Sequence, residues 1–424
     1  MIPSFPSDGF SMHPQLTRAL LDLSLAFRNV IRHRQRAAFA LIIIGGGVIA
    51  LLLASGFIQW VLDIQRESTI RSQLGHIEVV RPDYFGKGIS NPFAYLLPQN
   101  HPAEEVIRGH KEVDALAPRL NFVGLLAFGD ATLSFVGDGV DPAAEKEFAD
   151  YVFVEDGERL DDADPTGVIV GQGLATNLGV KTGDRIVLMV STAKGGLGAT
   201  DAHIRGIFFT AEKMYDDSAI QMPITLARKL VKVKGATSWL VVLHDTEDTD
   251  TVLGSLRAKL DPKTFELVPW YDLADFYKKT VQLFSRQVMV VKFLIGMIIV
   301  LSISNTLSMA VVERTGEIGT AMALGVRRHS ILRLFLMEGL VLGALGGSLG
   351  ALIGWLLSVV ISAVGIPMPP PPGMTTGFTG QITVNFAMVV EAVLLAVVTT
   401  LLASAFPAWK ASRMVIVDAL RHQR

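Results

Sequence analysis

The sequence contains no cysteine, which excludes disulfide bonds, thiolate metal ligands and cysteine nucleophiles. Its nine histidines form no H-E-x-x-H motif and no pair four residues apart, so the helical zinc signature is also missing. An excess of positive charge is lacking too: the formal net charge of -2 argues against a nucleic-acid partner, which requires a basic face. We therefore expect no metal, no bound cofactor and no nucleic acid.

Enzyme motifs are equally scarce. The phosphate loop G-x-x-x-x-G-K-[ST] does not occur, and after Gly171 and Gly173 the third glycine of a dinucleotide fingerprint is replaced by Thr176. Residues 346–350 match the hydrolase pattern G-x-S-x-G around Ser348, but they lie in an apolar helical run instead of a strand–turn–helix junction. We predict that the chain is not itself an enzyme.

Long apolar runs are abundant: half of the residues are hydrophobic, 18% are charged, and the mean hydropathy is +0.42. A bilayer span takes about 20 helical residues, and we predict spans at residues 37–62, 288–312, 331–364 and 386–406. The first run is too long for a cleaved signal and is interpreted as a retained anchor. The expected fold class is an integral membrane α-helical protein with four spans and a large α+β, β-rich extracytoplasmic domain inserted between the first two.

Basic residues flank these runs on one side. They precede the first span, occur between the second and third spans at Arg314, Arg327 and Arg328, and follow the fourth, whereas residues 365–385 carry no charge. The positive-inside rule then places residues 1–36, 313–330 and 407–424 in the cytoplasm. Residues 63–287 and 365–385 are expected outside.

The segment before the first span has apolar residues at helical spacing: Leu16, Leu20, Leu23, Phe27 and Val30. We predict an amphipathic helix within residues 1–36, which packs either on membrane lipid or on protein. Both alternatives stay open.

The outside region of residues 63–287 has room for more than one small domain. Strand-like residues 239–243 and 265–268 bracket a helical pattern at residues 249–260, which predicts a β-α-β unit. We expect a split α+β part with a β-rich insert at about residues 137–230. Leu273, Phe276, Val281 and Phe284 predict a helical stalk over residues 273–287 that leads into the second span.

The predicted third span contains two rows of glycine at four-residue spacing, which let neighbouring helices approach closely. The rows are Gly339, Gly343 and Gly347, and Gly346, Gly350 and Gly354. The span also contains Glu338, and a carboxylate inside a span is a functional candidate. Because it lies about 10 Å from the cytoplasmic end, we favour an interfacial carboxylate paired with a nearby Arg over a transport site. Lys292 and Glu391 fall near the outer ends of their spans.

The loop after the second span combines the polar residues Glu313, Arg314 and Glu317 with apolar residues at helical spacing. The apolar residues are Ile318, Met322 and Leu324. This pattern predicts a short amphipathic helix, bounded by Gly319 and Gly325, whose apolar residues anchor in a groove on a partner protein. The alternative is a connector that only obeys the positive-inside rule.

The same loop carries a family resemblance. Residues 312–319 read VERTGEIG and residues 323–325 read ALG, which resembles the cytoplasmic loop of FtsX/MacB-like ABC permeases, usually E-R-x-x-E-I-G followed by A-L-G. FLMEG at 335–339, PAWKASR at 407–413 and ALR at 419–421 fit the same family. VGQGLA at 170–175 is similar to its outer domain, and GHIEV at 75–79 looks like the lipoprotein-releasing branch.

The resemblance implies a four-span subunit of a bacterial inner membrane that pairs with a second permease copy or a paralogue. It further implies two copies of an ABC ATPase subunit, which would use ATP and Mg, and an optional periplasmic carrier or adaptor. MacB-type chains carry the ATPase domain themselves and this sequence does not, which favours the separate-subunit arrangement.

Two functions from different classes follow. The first is ATP-driven extraction or export of a lipoprotein, lipid or other hydrophobic substrate at the periplasmic side. The second is an FtsX-like signal transmitter that activates a cell-wall hydrolase and transports nothing. A membrane-bound hydrolase with Ser348 as its nucleophile is a third alternative.

Overall fold

The computed structural model describes residues 26–29, 32, 34–144, 152–210, 213–368 and 378–414. The predicted amphipathic helix within residues 1–36 and the ALR motif of the tail fall largely outside these residues. The chain divides into two units. The membrane unit comprises Met1–Val61, Gln282–Met368 and Thr379–Arg424, and the inserted domain comprises Leu62–Val281 and Pro369–Phe378.

Among the described residues, four helices are long and apolar enough to cross a membrane. The first span helix runs over Arg34–Thr69 and continues as a π-helical turn over Ile70–Leu74. The second, third and fourth span helices run over Asp275–Glu313, Arg328–Val364 and Phe386–Ser412. Short strands at Ile366–Met368 and Phe378–Gly380 lie between the third and fourth.

All four helices extend beyond the predicted spans, and two of them also depart from the predicted limits of the stalk and the tail. The stalk was expected from residue 273, but the helix begins at Asp275 because Ala274, with φ -79° and ψ 60°, separates it from a short helix at Trp270–Leu273. The fourth span helix continues past the predicted end at residue 406 and contains Pro407 in its interior. Its last turns therefore belong to the predicted cytoplasmic tail.

The two glycine rows of the third span helix lie at two different helix contacts. A Cβ on Gly343 would fall 2.1 Å from Thr400 Oγ1 of the fourth span helix, and a Cβ on Gly339 would fall 2.5 Å from Ser404 Oγ. The other row faces the first span helix, where a Cβ on Gly354 would lie 3.2 Å from Leu52 Cδ1. Side chains larger than hydrogen would push these helices apart, so the glycines permit the close packing of three helices.

The inserted domain is built on a ten-stranded sheet with the order β10-β1-β9-β2-β3-β8-β5-β7-β4, and β6 pairs with β2 and β7. The strands are β1 Ile77–Val80, β2 Val113–Phe128, β3 Ala131–Val140, β4 Phe153–Gly157, β5 Gly167–Gly171, β6 Arg185–Ser191, β7 Leu197–Phe209, β8 Ala219–Pro223, β9 Ser238–Leu243 and β10 Glu266–Pro269. Its helices are α1 Pro102–Arg108, α2 Gln172–Leu178, α3 Lys213–Asp216, α4 Ile224–Val231, α5 Thr249–Lys259 and α6 Trp270–Leu273.

Strand β2 connects the two halves of this sheet. Its first half, up to Arg119, pairs with β9, and its second half, from Leu120, pairs with β3 and then also with β6. Each half covers its own hydrophobic core, one under β1, β9 and β10 with α1 and α5, and one under β2, β5 and β6 with α2 and α4. The β-rich lobe therefore begins near Leu120 and not at residue 137 as predicted, because the change of partner within one strand leaves no mark on its local pattern.

The β-α-β unit forms the first half. Strands β9 and β10 both pair antiparallel with β1, which lies between them, and α5 connects the two. This is a split β-α-β arrangement, in which the strand following the first span helix occupies the centre.

Candidate coupling site

A short helix over Thr315–Ala323 follows directly on the second span helix, with Arg314 as its N-cap residue. We call it the coupling helix. Gly325 follows its end with φ +97°, a conformation that favours glycine. Gly319 was expected to bound the helix but lies buried inside it. That prediction is wrong because the helix continues beyond Gly319 into its last turn.

One face of the coupling helix is buried within the chain itself. Ile318 and Met322 are each 8% exposed and belong to a cluster with Val311, Phe335 and Ala408 of the span helices. The interpretation of Ile318 and Met322 as anchors for a partner's groove is therefore wrong. The spacing of four residues correctly gave one apolar face, but the third and fourth span helices already cover it.

The opposite face is open. Glu317 and Thr320 are exposed, and Leu324 just beyond the helix is 83% exposed. Spacings of three and four residues place these side chains on one surface. This surface, which we call the exposed coupling face, offers one apolar anchor beside a carboxylate and a hydroxyl.

Consecutive residues at the start of the coupling helix pair with different helices. Glu313 accepts a hydrogen bond from Arg36 at the start of the first span helix. Arg314 donates to Oε1 of Glu338 at 2.9 Å, and Asn29 donates to the same oxygen at 2.7 Å. Glu338 is 4% exposed, so its carboxylate is held by two donors in a buried setting.

A small cavity of about 40 Å³ lies beside these groups, lined among others by Asn29, Arg36, Thr306, Arg314 and Glu338. This volume is large enough for water molecules and too small for an organic substrate, because a single water already requires on the order of 10–15 Å³. The surroundings of Glu338 therefore fit a structural ion pair better than a transport site.

Lys292 and Glu391, the other charges noted in the spans, form an ion pair between the second and fourth span helices. Ser348 lies within the unbroken helix Arg328–Val364. A nucleophile elbow requires a strand–turn–helix junction, so the structure contradicts the hydrolase alternative. Within the described residues no group of three metal-ligating side chains could hold an ion.

A polar network that the sequence did not reveal lies where the first span helix ends. The backbone N–H of Leu243 donates to His76 Nδ1 at 3.0 Å, so Nε2 carries the proton and donates to Thr246 Oγ1 at 2.9 Å. Thr246 donates in turn to Glu67 at 2.8 Å, and Glu67 also accepts from Arg71 at 3.2 Å. Burial, reinforced by Arg71, lowers the pKa of His76 to about 4.

This network explains why a glycine precedes His76 in the sequence. Gly75 has φ +63°, and a Cβ there would fall 3.1 Å from both Leu240 Cβ and Val241 O. Only glycine therefore lets the chain turn from the π-helical turn into β1 and place the His76 ring under β9. The only hint of this network in the sequence was the resemblance of GHIEV at residues 75–79 to the lipoprotein-releasing branch. That resemblance did not indicate that the His76 side chain is buried.

A second buried polar cluster lies where β2 changes its pairing partner. Asp138 accepts a hydrogen bond from Asn121 at 2.7 Å and another from Tyr215, and it lies 3.9 Å from Arg119. Burial raises the pKa of Asp138 and raises that of the nearby Glu78 to about 7. Sequence reasoning missed this cluster, because its members come from four separate segments.

Comparison with known proteins agrees with this architecture. Residues 37–259 match the family described as MacB-like periplasmic core domain, and residues 289–416 match FtsX-like permease C-terminal. An uncharacterized ABC transporter permease of Methanocaldococcus jannaschii is 23% identical over 76% of this chain and 80% of its own length. The lipoprotein-releasing system transmembrane protein LolC of Xylella fastidiosa is 25% identical over 60% of this chain and 65% of its own length.

Among solved structures, the periplasmic region of MacB from Actinobacillus actinomycetemcomitans is 12% identical, with a TM-score of 0.35 over 49% of this chain and 94% of that one. At this TM-score the likeness adds nothing to the sequence matches.

The chain has four candidate membrane-spanning helices with a β-rich domain inserted between the first two, and the relatives that it matches are transmembrane permease proteins. Since the first family match alone covers more than half of the residues, the chain belongs to the FtsX/MacB-like family of ABC transporter permeases.

Proposed function

We propose that this chain couples ATP hydrolysis by a separate ABC ATPase subunit to extraction or export of a lipoprotein, lipid or other hydrophobic substrate. The substrate would be taken at the periplasmic side of a bacterial inner membrane. The observation that carries the proposal is the exposed coupling face, because an apolar side chain that is 83% exposed at Leu324 next to Glu317 suits docking on a partner protein.

The orientation follows from charge. The coupling helix is flanked by Arg314, Arg327 and Arg328, whereas residues 365–385 are uncharged. This asymmetry supports a cytoplasmic position for the coupling helix and both termini, where an ATPase is accessible, and a periplasmic position for the inserted domain.

The partners follow from the family. Two ATPase copies would hold ATP and Mg, a second permease copy or a paralogue would complete the membrane part, and a periplasmic carrier or adaptor would accept the substrate. The LolC relative is part of a lipoprotein-releasing system, which supports a hydrophobic or lipidated substrate for this chain.

The helix that ends at the coupling helix is long. The second span helix has 39 residues, Asp275–Glu313, which corresponds to about 58 Å at 1.5 Å per residue. A continuous helix passes on a displacement that a flexible linker would absorb. ATP-driven movement of the ATPase would thus be transmitted through the helix to residues beyond the bilayer.

The absence of cysteine makes a direct test convenient. With Thr320→Cys as the only cysteine, a photoactivatable thiol crosslinker should join the chain to the copurifying ATPase. Leu324→Lys should abolish this crosslink and ATP-dependent release of lipoprotein from proteoliposomes. Leu197→Lys, at a leucine that is 72% exposed in the inserted domain, is the matched control and should change neither.

The outcome also separates the two function classes. Crosslinking together with ATP-dependent release supports transport. Crosslinking without release of any lipidated substrate, but with activation of a cell-wall hydrolase in spheroplasts, would replace transport by signal transmission. A complete lack of ATPase crosslinking in the chain that carries Thr320→Cys alone would contradict both.

A further inference from the structure

The start of the coupling helix is connected to the rest of the membrane unit in two chemically different ways. Ile318 and Met322 pack on an apolar cluster that includes Phe335 of the third span helix. One turn away, Arg314 forms a buried ion pair with Glu338, which also belongs to the third span helix. The side chains of Arg314 and Glu338 are 14% and 6% exposed. The apolar contact has broad orientational tolerance, whereas the ion pair specifies one geometry.

From this arrangement we infer that Arg314 and Glu338 are positioning residues for coupling, whose ion pair passes a displacement of the coupling helix to the third span helix. This inference rests on the proposed function, because it needs an ATPase that moves the coupling helix. It assigns to Glu338 a role in transmission instead of substrate transport.

The energetics favour transmission through this pair. Separating the two charges in a buried site would leave them without full compensation, which is strongly unfavourable. Asn29 donates to the same Glu338 oxygen as Arg314, so the carboxylate is further restrained. A displaced Arg314 therefore carries Glu338 along before the pair breaks.

The third span helix is well placed to distribute the movement. Its glycine rows pack closely on the first and fourth span helices, as Gly350 does on Gly45 and Gly343 on Thr400. Closely packed interfaces have little slack and transmit a shift instead of absorbing it. A shift received at Glu338 thus reaches two further helices.

The competing explanation is a pair that only stabilises the fold. A purely stabilising pair and a transmitting pair predict different behaviour when the charges of Arg314 and Glu338 are neutralised. The apolar contacts of Ile318 and Met322 would still hold the coupling helix in place. Docking on the ATPase should therefore survive, while the nucleotide-dependent response at the other end of the bundle should not.

The experiment uses the full chain with its copurifying ATPase in lipid nanodiscs. Spin labels at Val364→Cys and Phe386→Cys, two exposed positions next to the uncharged loop, report the distance between the third and fourth span helices. Distances are measured without nucleotide and with ATP plus vanadate. In a separate preparation, Thr320→Cys crosslinking reports docking.

We expect a nucleotide-dependent change of the label distance in the chain that carries only the two label cysteines. Arg314→Gln should keep the Thr320→Cys crosslink and lose the distance change, and the exchange Arg314→Glu with Glu338→Arg should restore it at least in part. Arg185→Gln, at an exposed arginine of the inserted domain, is the matched control and should behave like the unsubstituted chain. If Arg314→Gln does not assemble, the doubly neutral Arg314→Gln with Glu338→Gln takes its place, because it leaves no unpaired buried charge.

Three results would overturn the inference while leaving the proposed function intact. The first is a full distance change in the neutralised variant, and the second is loss of both the crosslink and the distance change in that variant. The third is docking without any distance change in the chains that carry only the reporter cysteines. A Thr320→Cys chain with no further substitution that forms no crosslink to the ATPase would instead refute the proposed function.

Discussion

Gly350 of the third span helix lies directly against Gly45 of the first, so that a Cβ on Gly350 would fall 2.7 Å from the Gly45 Cα. This distance is far below a normal carbon–carbon contact, and the helices must separate to admit a methyl group. We expect Gly350→Ala to destabilise the membrane unit by about 1–3 kcal/mol, as overpacking does elsewhere. The measurement is an unfolding titration with SDS in mixed micelles.

Gly46 provides the control for this prediction, because a Cβ there meets nothing within 4 Å. Gly46→Ala should be neutral or stabilising by up to about 1 kcal/mol, since alanine is the better helix former. Equal stabilities of the two alanine variants would show that close approach of the first and third span helices is not required.

The two faces of the coupling helix should respond to truncation in opposite ways. Ile318→Ala removes a buried side chain and should destabilise the membrane unit by about 2 kcal/mol or more. Leu324→Ala removes an exposed one, so stability should be unchanged while copurification of the ATPase falls. Thermal unfolding and quantitative copurification distinguish the two effects. A stability loss at Leu324 without any loss of ATPase would count against the exposed coupling face.

His76 should make the inserted domain sensitive to acid. Its pKa is lowered to about 4 in the folded state from an ordinary value of 6.5, so the unfolded chain binds a proton more readily. The stability contributed by neutral His76 is present above pH 6.5 and is lost as the pH falls toward 4. Between pH 7.5 and pH 5 the loss is about 2 kcal/mol, from the linkage relation.

The measurement is amide hydrogen exchange of the full chain, converted to opening free energies for β9, whose Leu243 N–H donates to His76. His76→Gln keeps a donor and an acceptor but does not titrate, so it should lack this pH dependence while retaining that of every other group. Parallel pH profiles for the two proteins would exclude His76 as the titrating group.

Glu78 should have the opposite effect. Burial raises its pKa to about 7, above the ordinary 4.5, so the folded state favours the neutral acid. The associated stability is present below pH 4.5 and is lost as the pH rises through 7, which at pH 8 corresponds to roughly 3 kcal/mol. Glu78→Gln should therefore stabilise β1 more at pH 8 than at pH 5.

Glu105 on helix α1 is the control, because its carboxylate is exposed. Glu105→Gln should change the hydrogen-exchange profile of β1 little at either pH. If Glu78→Gln were to alter stability equally at pH 5 and pH 8, the buried carboxyl would be charged throughout, with Arg119 as the stabilising partner.

The sequence predicted the membrane part of the architecture well. Each predicted span lies within one of the four long helices, because a bilayer imposes a local requirement for about 20 apolar residues. The glycine rows at residues 339–347 and 346–354 could also be predicted, because helix packing of this kind leaves a local sequence pattern. A helix fixes the direction of side chains by spacing alone, so a row of small residues identifies a contact face even before its partner is known.

What only the tertiary structure decided concerns partners distant in sequence. Spacing put Ile318 and Met322 on one face of the coupling helix, but not whether the chain or another protein covers that face. Likewise, no local sequence pattern shows that β2 changes its pairing partner at Leu120, or that His76 forms a hydrogen bond with Thr246. The sequence by itself determined the positions of the bilayer spans and the apolar faces of the helices, which depend on local composition and periodicity. Burial, strand partners and ion pairs depend on which distant segments meet, and only the folded chain brings those segments together.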